Sequence, residues 1–347
     1  MQLVINTFGS YLRKQGEGFL VKNEDKVFEV SARKIDSILI TTAAYISTDA
    51  IKLAMERNID VIFLDEFGDP YGRVWHSKLG STTLIRRRQL EIAETAEGLG
   101  LAKEWVAAKI EHQIDLLKRL ANSRPDKEEK LKEYVLRLED TRTKLGTLSG
   151  TIDERRGTIM GLEGSAGRTY FEALSFIMPE RYAFDGRSRQ PAKDEFNCLL
   201  NYGYGVLYSM VEKGCIIAGL DPYVGFVHTD NYNKKSMVFD LIEMFRILVE
   251  QTVVFMFSGR KVKQEHFDEV KGGFTLNKDG KAGLIESLNE TFEKSVRYRG
   301  RNIKNRDIVQ FECHRIANQL IKEDKGAGVG SVRHSGDAGA EQGGQGV

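Results

Sequence analysis

The apolar stretch at residues 236–257, SMVFDLIEMFRILVEQTVVFMF, contains charged side chains that could do chemistry. Asp240 and Glu243 are three residues apart, so one long helix over this stretch would place both carboxylates on the same face. A buried carboxylate needs a proton, a cation or a salt bridge, because burial without a partner is costly. Arg246 follows Glu243 by three residues. The residues alone therefore support an internal salt bridge and a divalent-metal site about equally.

Two distant segments supply further candidate ligands. Glu163 lies in the helical pattern MGLEGSAGRTYF, where small neighbours would let a ligand approach closely, although taken alone it is more simply a surface acid. His228 ends the turn-rich segment GLDPYVGFVH, and a lone histidine of this kind is more often a core residue than a ligand. Two carboxylates and an imidazole together suit Mg²⁺ or Mn²⁺. Such an ion could polarise a phosphoryl oxygen, as phosphodiester chemistry requires.

The composition restricts the function classes. The 347 residues include 51 basic and 50 acidic ones, so a nucleic-acid surface must be a local patch. The three cysteines, Cys198, Cys215 and Cys313, are widely separated and lack CxxC spacing, which argues against a disulfide framework and a zinc site. The first residues, MQLVINTFGSYLRK, lack a signal-peptide profile, and charges interrupt the most apolar stretch. We expect a cytoplasmic protein.

The pattern along the chain predicts an α+β fold. Short runs rich in Val, Ile, Phe and Tyr fill residues 1–84 with a single helix after the N-cap Ser47, which favours an antiparallel sheet or a sandwich. We predict an N-terminal β-rich, sandwich-like domain at residues 1–84, an all-helical catalytic domain with the metal site at residues 85–325, and a Gly-rich disordered tail at residues 326–347. Helical patterns cover residues 90–123, 127–145, 151–176, 195–218, 236–257 and 282–323.

Local basic clusters could contact DNA phosphates, which give affinity with little sequence information. The strongest is RYRGRNIKNR, where Arg297, Arg299 and Arg301 alternate with other residues that include a tyrosine. Arg168 and Arg246 are closer in sequence to the candidate ligands. For any single cluster, an ordinary solvated surface is at least as good an interpretation.

Four motifs, in order, resemble the CRISPR-associated spacer-acquisition integrase family: MGLEGSAGRTYFEAL, RQPAKDEFNCLLNYGYGVLY, GLDPYVGFVH and FDLIEMFR. The resemblance spans residues 1–324. It implies that Glu163, His228 and Glu243 are the catalytic metal ligands. It also implies that Asp240 is not a ligand itself and orients the site through its contacts with the ligands. It also implies a homodimer, formed through the β-rich domain, that binds double-stranded DNA and works with a small ferredoxin-like CRISPR-associated partner.

The expected reaction is a metal-dependent transesterification in which the 3′-hydroxyl of a short foreign DNA duplex attacks a phosphodiester at the border of a CRISPR repeat. The DNA supplies the nucleophile, so the protein contributes positioning and charge stabilisation. Three alternatives stay open: a metal-dependent nuclease that cuts branched DNA with water as nucleophile, a homologous mobile-element integrase, and a non-catalytic DNA-binding scaffold. The low-complexity tail favours the CRISPR role over the mobile-element role.

Overall fold

The computed structural model describes residues 2–23, 26–68, 70–74, 83–228 and 234–322. The predicted disordered tail at residues 326–347 lies outside the described residues. The strands of the first part are β1 (Gln2–Ile5), β2 (Tyr11–Gln15), β3 (Gly18–Lys22), β4 (Val27–Ser31), β5 (Ser37–Ile40), β6 (Tyr45–Ile46), β7 (Asp60–Leu64) and β8 (Pro70–Val74). They form two four-stranded sheets, with the orders β1-β5-β7-β8 and β4-β3-β2-β6.

The direction of the strands differs from the prediction in the first sheet. We predicted antiparallel pairing, but β1, β5 and β7 pair in parallel and β8 alone is antiparallel. Parallel neighbours need a crossover, and helix α1 (Thr48–Glu56) lies in the connection from β5 to β7. The Ser47 hydroxyl caps α1 by accepting a hydrogen bond from the backbone N–H of Ala50, at 3.3 Å, as predicted. The second sheet is built mainly from antiparallel hairpins.

Both faces of the first sheet are covered. Ile38 and Val61 pack with the second sheet and α1, whereas Leu39 and Ile62, the next residue in each strand, belong to the core of the helical part. This alternation follows from the two-residue period of side chains along a strand. The sheet therefore connects the strand-rich and helical parts of the chain.

The second part is mainly helical, and the predicted α+β class is confirmed. Its helices are α2 (Thr83–Ile92), α3 (Ala96–Asn122), α4 (Glu128–Gly146), α5 (Ile152–Ile177), α6 (Glu195–Ala218), α7 (Ser236–Ile242), α8 (Ile247–Ser258), α9 (Lys278–Glu293) and α10 (Asn305–Lys322). Two hairpins lie among them: β9 (Phe267–Val270) with β10 (Gly273–Leu276), and β11 (Ser295–Tyr298) with β12 (Arg301–Lys304). In the described residues, no helix is long and apolar enough to cross a membrane.

Three of the predicted helices are interrupted. The helix predicted at residues 90–123 begins inside α2 and crosses residues 93–95, which separate α2 from α3. Residues 282–323 are not one helix, because the β11–β12 hairpin separates α9 from α10. Its two-residue turn has positive φ at both Arg299 and Gly300, which matches the right-handed twist of a hairpin.

The stretch 236–257 is also not one regular helix, because a 3₁₀ turn, Glu243–Phe245, separates α7 from α8. The carbonyl of Met244 in this turn accepts a hydrogen bond from His112 Nδ1 on α3, at 3.0 Å. A short 3₁₀ segment inside a helix often marks a functional position. Here it carries Glu243.

Candidate metal centre

Glu163 lies on α5, the helix that packs against α3 and α4. Thr151 and Glu154 form a capping box at the start of α5, and Ala166 and Tyr170 anchor its inner face in the core. Glu163 is half-buried, with 27% of its side chain exposed. Its carboxylate points to α3, where it accepts a hydrogen bond from the ammonium of Lys109.

Lys109 is a site residue that the sequence interpretation missed. Its side chain is only 8% exposed, and its Nζ forms ion pairs with Glu163 Oε1 and with Glu243 Oε2, the latter at 2.6 Å. One ammonium thus connects carboxylates from α5 and from the turn between α7 and α8. A signal was present in the sequence, because Lys109 occupies the inward stripe that contains Trp105, Val106 and Gln113 at helical spacing.

Glu243 has a cation at each of its oxygens. Arg246 Nε donates to Glu243 Oε1 at 2.8 Å, so the internal salt bridge considered from the sequence is present. Burial alone would raise the pKa of Glu243, but the charges of Arg246 and Lys109 outweigh it and lower the pKa to about 2. Burial likewise opposes the charge on Lys109, yet the two carboxylates raise its pKa. Glu243, Arg246 and Lys109 are therefore all charged at neutral pH.

Asp240 fixes the loop that carries His228. Its buried carboxylate accepts hydrogen bonds from the backbone N–H groups of Phe226, Val227 and His228, at 2.6, 3.1 and 3.0 Å. It also lies 2.7 Å from His228 Nδ1. A carboxylate oxygen only accepts, so Nδ1 carries the proton, and in the neutral imidazole the lone pair is on Nε2. Asp240 therefore fixes both the backbone of this loop and the orientation of the His228 ring.

His228 is electrostatically linked to both candidate carboxylates. Burial lowers its pKa, but the hydrogen bond and charge of Asp240, together with the charges of Glu243 and Glu163, raise the pKa overall. The charges of both acids therefore favour the protonated imidazole. Within the described ranges, however, no three His, Cys, Asp or Glu side chains are grouped as a complete metal site.

The residues fit a divalent ion in donor chemistry. Lys109 shows that Glu163 and Glu243 can direct oxygens at one cation, and the tautomer of His228 leaves a nitrogen lone pair for a metal. Oxygen ligands with one imidazole suit Mg²⁺ or Mn²⁺. Glu163, His228 and Glu243 stay the predicted ligands.

The predicted DNA-contacting arginines differ in their surroundings. Arg168 is exposed on α5, and Arg297 and Arg301 are exposed on β11 and β12. Arg246 is directed at Glu243. Arg299 donates to the buried Glu312 at 2.8 Å, so this guanidinium already has an internal partner. The β11–β12 cluster is therefore not a uniform set of free cations.

The tyrosine and asparagine motif on α6 lies behind Arg246. The guanidinium of Arg246 stacks over the ring of Tyr204, with its Cζ 4.5 Å from the ring centroid, and the Tyr204 hydroxyl donates to Glu250 Oε1 at 2.7 Å. Arg187 lies over the same ring at 5.4 Å and donates to Asn201 Oδ1 at 2.8 Å. These contacts hold the cation that contacts Glu243.

Comparison with known proteins identifies the family. The sequence profile of CRISPR associated protein Cas1 matches residues 3–290. A curated relative from Archaeoglobus fulgidus, named CRISPR-associated endonuclease Cas1 1, is 35% identical over 336 residues, which cover 93% of this chain and 97% of the relative.

Solved structures share the fold. A casposase bound to integration product has a TM-score of 0.80 at 22% identity. The match covers 93% of this chain and 91% of that chain. A Cas6-RT-Cas1–Cas2 complex has a TM-score of 0.76 at 22% identity, over 93% of this chain and 35% of that longer chain. The resemblance carried by the four motifs is confirmed. Since the family profile covers most of the sequence and the relative aligns over nearly its whole length, the chain belongs to the Cas1 family of CRISPR-associated proteins.

Proposed function

We propose that this protein is a metal-dependent DNA integrase that inserts short foreign DNA into a CRISPR array. The observation that carries the proposal is the meeting of Glu163 and Glu243, from distant segments, at one cation. In addition, Asp240 holds His228 in a defined tautomer. A bound Mg²⁺ or Mn²⁺ would polarise the phosphoryl oxygen and stabilise the attacking and leaving oxygens. Glu163, Glu243 and His228 would hold that ion.

The other residues would position the reactants. Arg246 neutralises one oxygen of Glu243 and is fixed by Tyr204, so the carboxylate has a single orientation. Arg168, exposed on the same helix as Glu163, would contact a phosphate of the DNA. The nucleophile is the 3′-hydroxyl of the incoming DNA, so no protein nucleophile is needed. Known proteins support this class of reaction, since the Archaeoglobus relative is named an endonuclease and the casposase of the same fold was captured with an integration product.

Homodimerisation is proposed through the outer face of the second sheet. The strand register places Val27, Lys22, Tyr11 and Tyr45 in one row across this face, and all four are exposed. Phe8, just before β2, is 78% exposed. A continuous exposed patch with this much aromatic surface is typical of a protein interface. The complex that contains Cas1 and Cas2 supports the further proposal that a small ferredoxin-like partner joins the assembly.

The test combines the purified protein, the small partner, Mn²⁺ or Mg²⁺, labelled duplex DNA and a plasmid that contains a CRISPR repeat. The parent should join labelled DNA to the plasmid only when metal is present. Glu163→Gln, His228→Ala and Glu243→Gln should each abolish joining. Glu172→Gln is the matched control, because Glu172 is an exposed acid on the same helix that pairs with Arg137.

The products separate the proposal from a nuclease and from a non-catalytic scaffold. Joined strands identify an integrase, whereas strands that are only shortened identify a nuclease that uses water. DNA binding without turnover would identify a scaffold. If all three variants joined DNA as well as the parent does, the site assignment would be wrong.

A further inference from the structure

Lys109 differs from the other lysines of its helix. Lys103 is half-buried, with its ammonium on the backbone carbonyls of Gly146 and Leu148, and Lys118 is exposed. Lys109 is buried, and its ammonium lies between two carboxylates that come from other elements. A buried ammonium in such a position carries a large desolvation cost, which both carboxylates must offset.

We propose that the Lys109 ammonium and a divalent ion compete for the same oxygens of Glu163 and Glu243, so that the ion binds only when Lys109 moves away. The inference rests on the proposed function, because it takes these two carboxylates as metal ligands. Its geometric basis is direct. Lys109 Nζ is 2.6 Å from Glu243 Oε2, and a divalent ion would bind carboxylate oxygens at roughly 2.0–2.6 Å. Two cations at such distances from the same oxygens would repel each other strongly.

The charges of the site lead to the same conclusion. Three carboxylates, from Glu163, Asp240 and Glu243, face two cations, Lys109 and Arg246. With His228 neutral, one negative charge remains, so an added divalent ion would leave the site with an excess positive charge. Withdrawal of Lys109 removes that excess. Lys109 therefore sets how tightly the site holds an ion.

Lys109 has a route out of the site. Its ammonium is carried on a flexible four-carbon stem. Glu163, one of its two partners, is partly exposed, so the site reaches solvent on the α5 side. Arg246 has no equivalent freedom, because its guanidinium is stacked on Tyr204 and bonded to Glu243. Of the two cations, Lys109 is the one that an ion would displace.

The first experiment measures Mn²⁺ binding by the loss of the free-ion EPR signal, at one fixed pH and without DNA. Lys109→Met should bind Mn²⁺ at least about tenfold more tightly than the parent, because substitutions of residues that contact metal ligands usually change metal affinity by this much. Lys118→Met is the matched control, since it removes the same charge from the exposed face of α3, and it should bind like the parent. Equal or weaker binding by Lys109→Met would overturn the proposal.

A second measurement needs no variant and so does not depend on how well Lys109→Met folds. The parent protein is treated briefly with acetic anhydride, with and without saturating Mn²⁺, and acetylation of each lysine is read by mass spectrometry. Acetylation of Lys109 should rise severalfold with Mn²⁺, while that of Lys118 should stay constant. An unchanged or lower signal at Lys109 would contradict displacement.

Different outcomes would exclude the metal-dependent function and the competition at Lys109. If the parent protein bound no Mn²⁺ at all, the proposed metal-dependent function would fail. If the parent bound Mn²⁺ but the affinity of Lys109→Met or the labelling of Lys109 did not rise, only the competition would fail.

Discussion

Replacing Asp60 by Asn should change how the stability of the protein depends on pH. Asp60 begins β7, its side chain is fully buried, and neither carboxylate oxygen has a hydrogen-bond partner. Its ion-pair partner is Arg73, with Nε 3.3 Å away. Burial raises the pKa of Asp60 from 3.8 to about 6, because the loss of water disfavours the carboxylate more than the charges of Arg73 and Lys213 favour it.

The sign follows from proton binding. Between pH 3.8 and about 6 the folded protein keeps a proton on Asp60 that the unfolded chain releases, so the free energy of unfolding falls as the pH rises. A rise of about two in pKa corresponds to about 3 kcal/mol, all of which is lost above that range. Asparagine has no proton to release. The free energy of unfolding of Asp60→Asn, relative to the parent, should therefore increase by about 2.5 kcal/mol from pH 4 to pH 7, because part of the effect is already lost at pH 4.

Urea unfolding of both proteins at intervals from pH 4 to pH 8 measures this difference. Asp140→Asn is the control, because Asp140 is an exposed helix residue paired with Lys144, and its difference from the parent should stay within about 0.5 kcal/mol. A difference that stayed constant for Asp60→Asn, or that shrank as the pH rose, would refute the reasoning. It would mean that Arg73 keeps Asp60 ionised in spite of its burial.

Three further changes have defined outcomes. Gly161→Ala should raise the free energy of unfolding by about 1 kcal/mol, measured by thermal denaturation, because a Cβ at this exposed helix position meets nothing within 4 Å. Tyr204→Phe should lower the free energy of unfolding in urea by about 1–3 kcal/mol, because it removes a donor from the buried Glu250 carboxylate. Asp240→Asn should weaken Mn²⁺ binding about tenfold or more in the EPR titration. The reason is that an amide cannot accept hydrogen bonds from His228 and all three backbone donors at once. Unchanged binding would show that His228 needs no such support.

Side-chain periodicity made the broad fold predictable. Short β-branched and aromatic runs gave the strand-rich part, and spacings of three and four gave the helices. Strand direction in the first sheet could not be predicted in this way. Successive residues, such as Ile38 and Leu39, point to opposite faces of the sheet whether the strands run parallel or antiparallel, so the pattern of side chains is the same in both cases. The path of the connection through α1 decides the direction, and that is a property of the folded chain.

The interruptions of the helices were only partly visible. Gly300 is a turn signal in the sequence, but it lies in a run of arginines that also suits a basic surface. The helical pattern of residues 282–323 therefore runs through the β11–β12 hairpin without a clear break. The 3₁₀ turn at Glu243–Phe245 has no glycine or proline to mark it. It coincides with the hydrogen bond from His112 to Met244, which joins residues 132 positions apart. A contact of that range has no local signature.

The candidate site shows why the sequence left a salt bridge and a metal ligand as equal interpretations of Glu243. The spacing of three residues finds Arg246, which takes Oε1. That spacing does not reveal Lys109, which lies on another helix and pairs with Oε2. Because a carboxylate has two oxygens, the local salt bridge leaves one of them for a second cation, and the two interpretations do not exclude each other. The salt bridge with Arg246 fixes the orientation in which Glu243 presents Oε2 to the Lys109 ammonium.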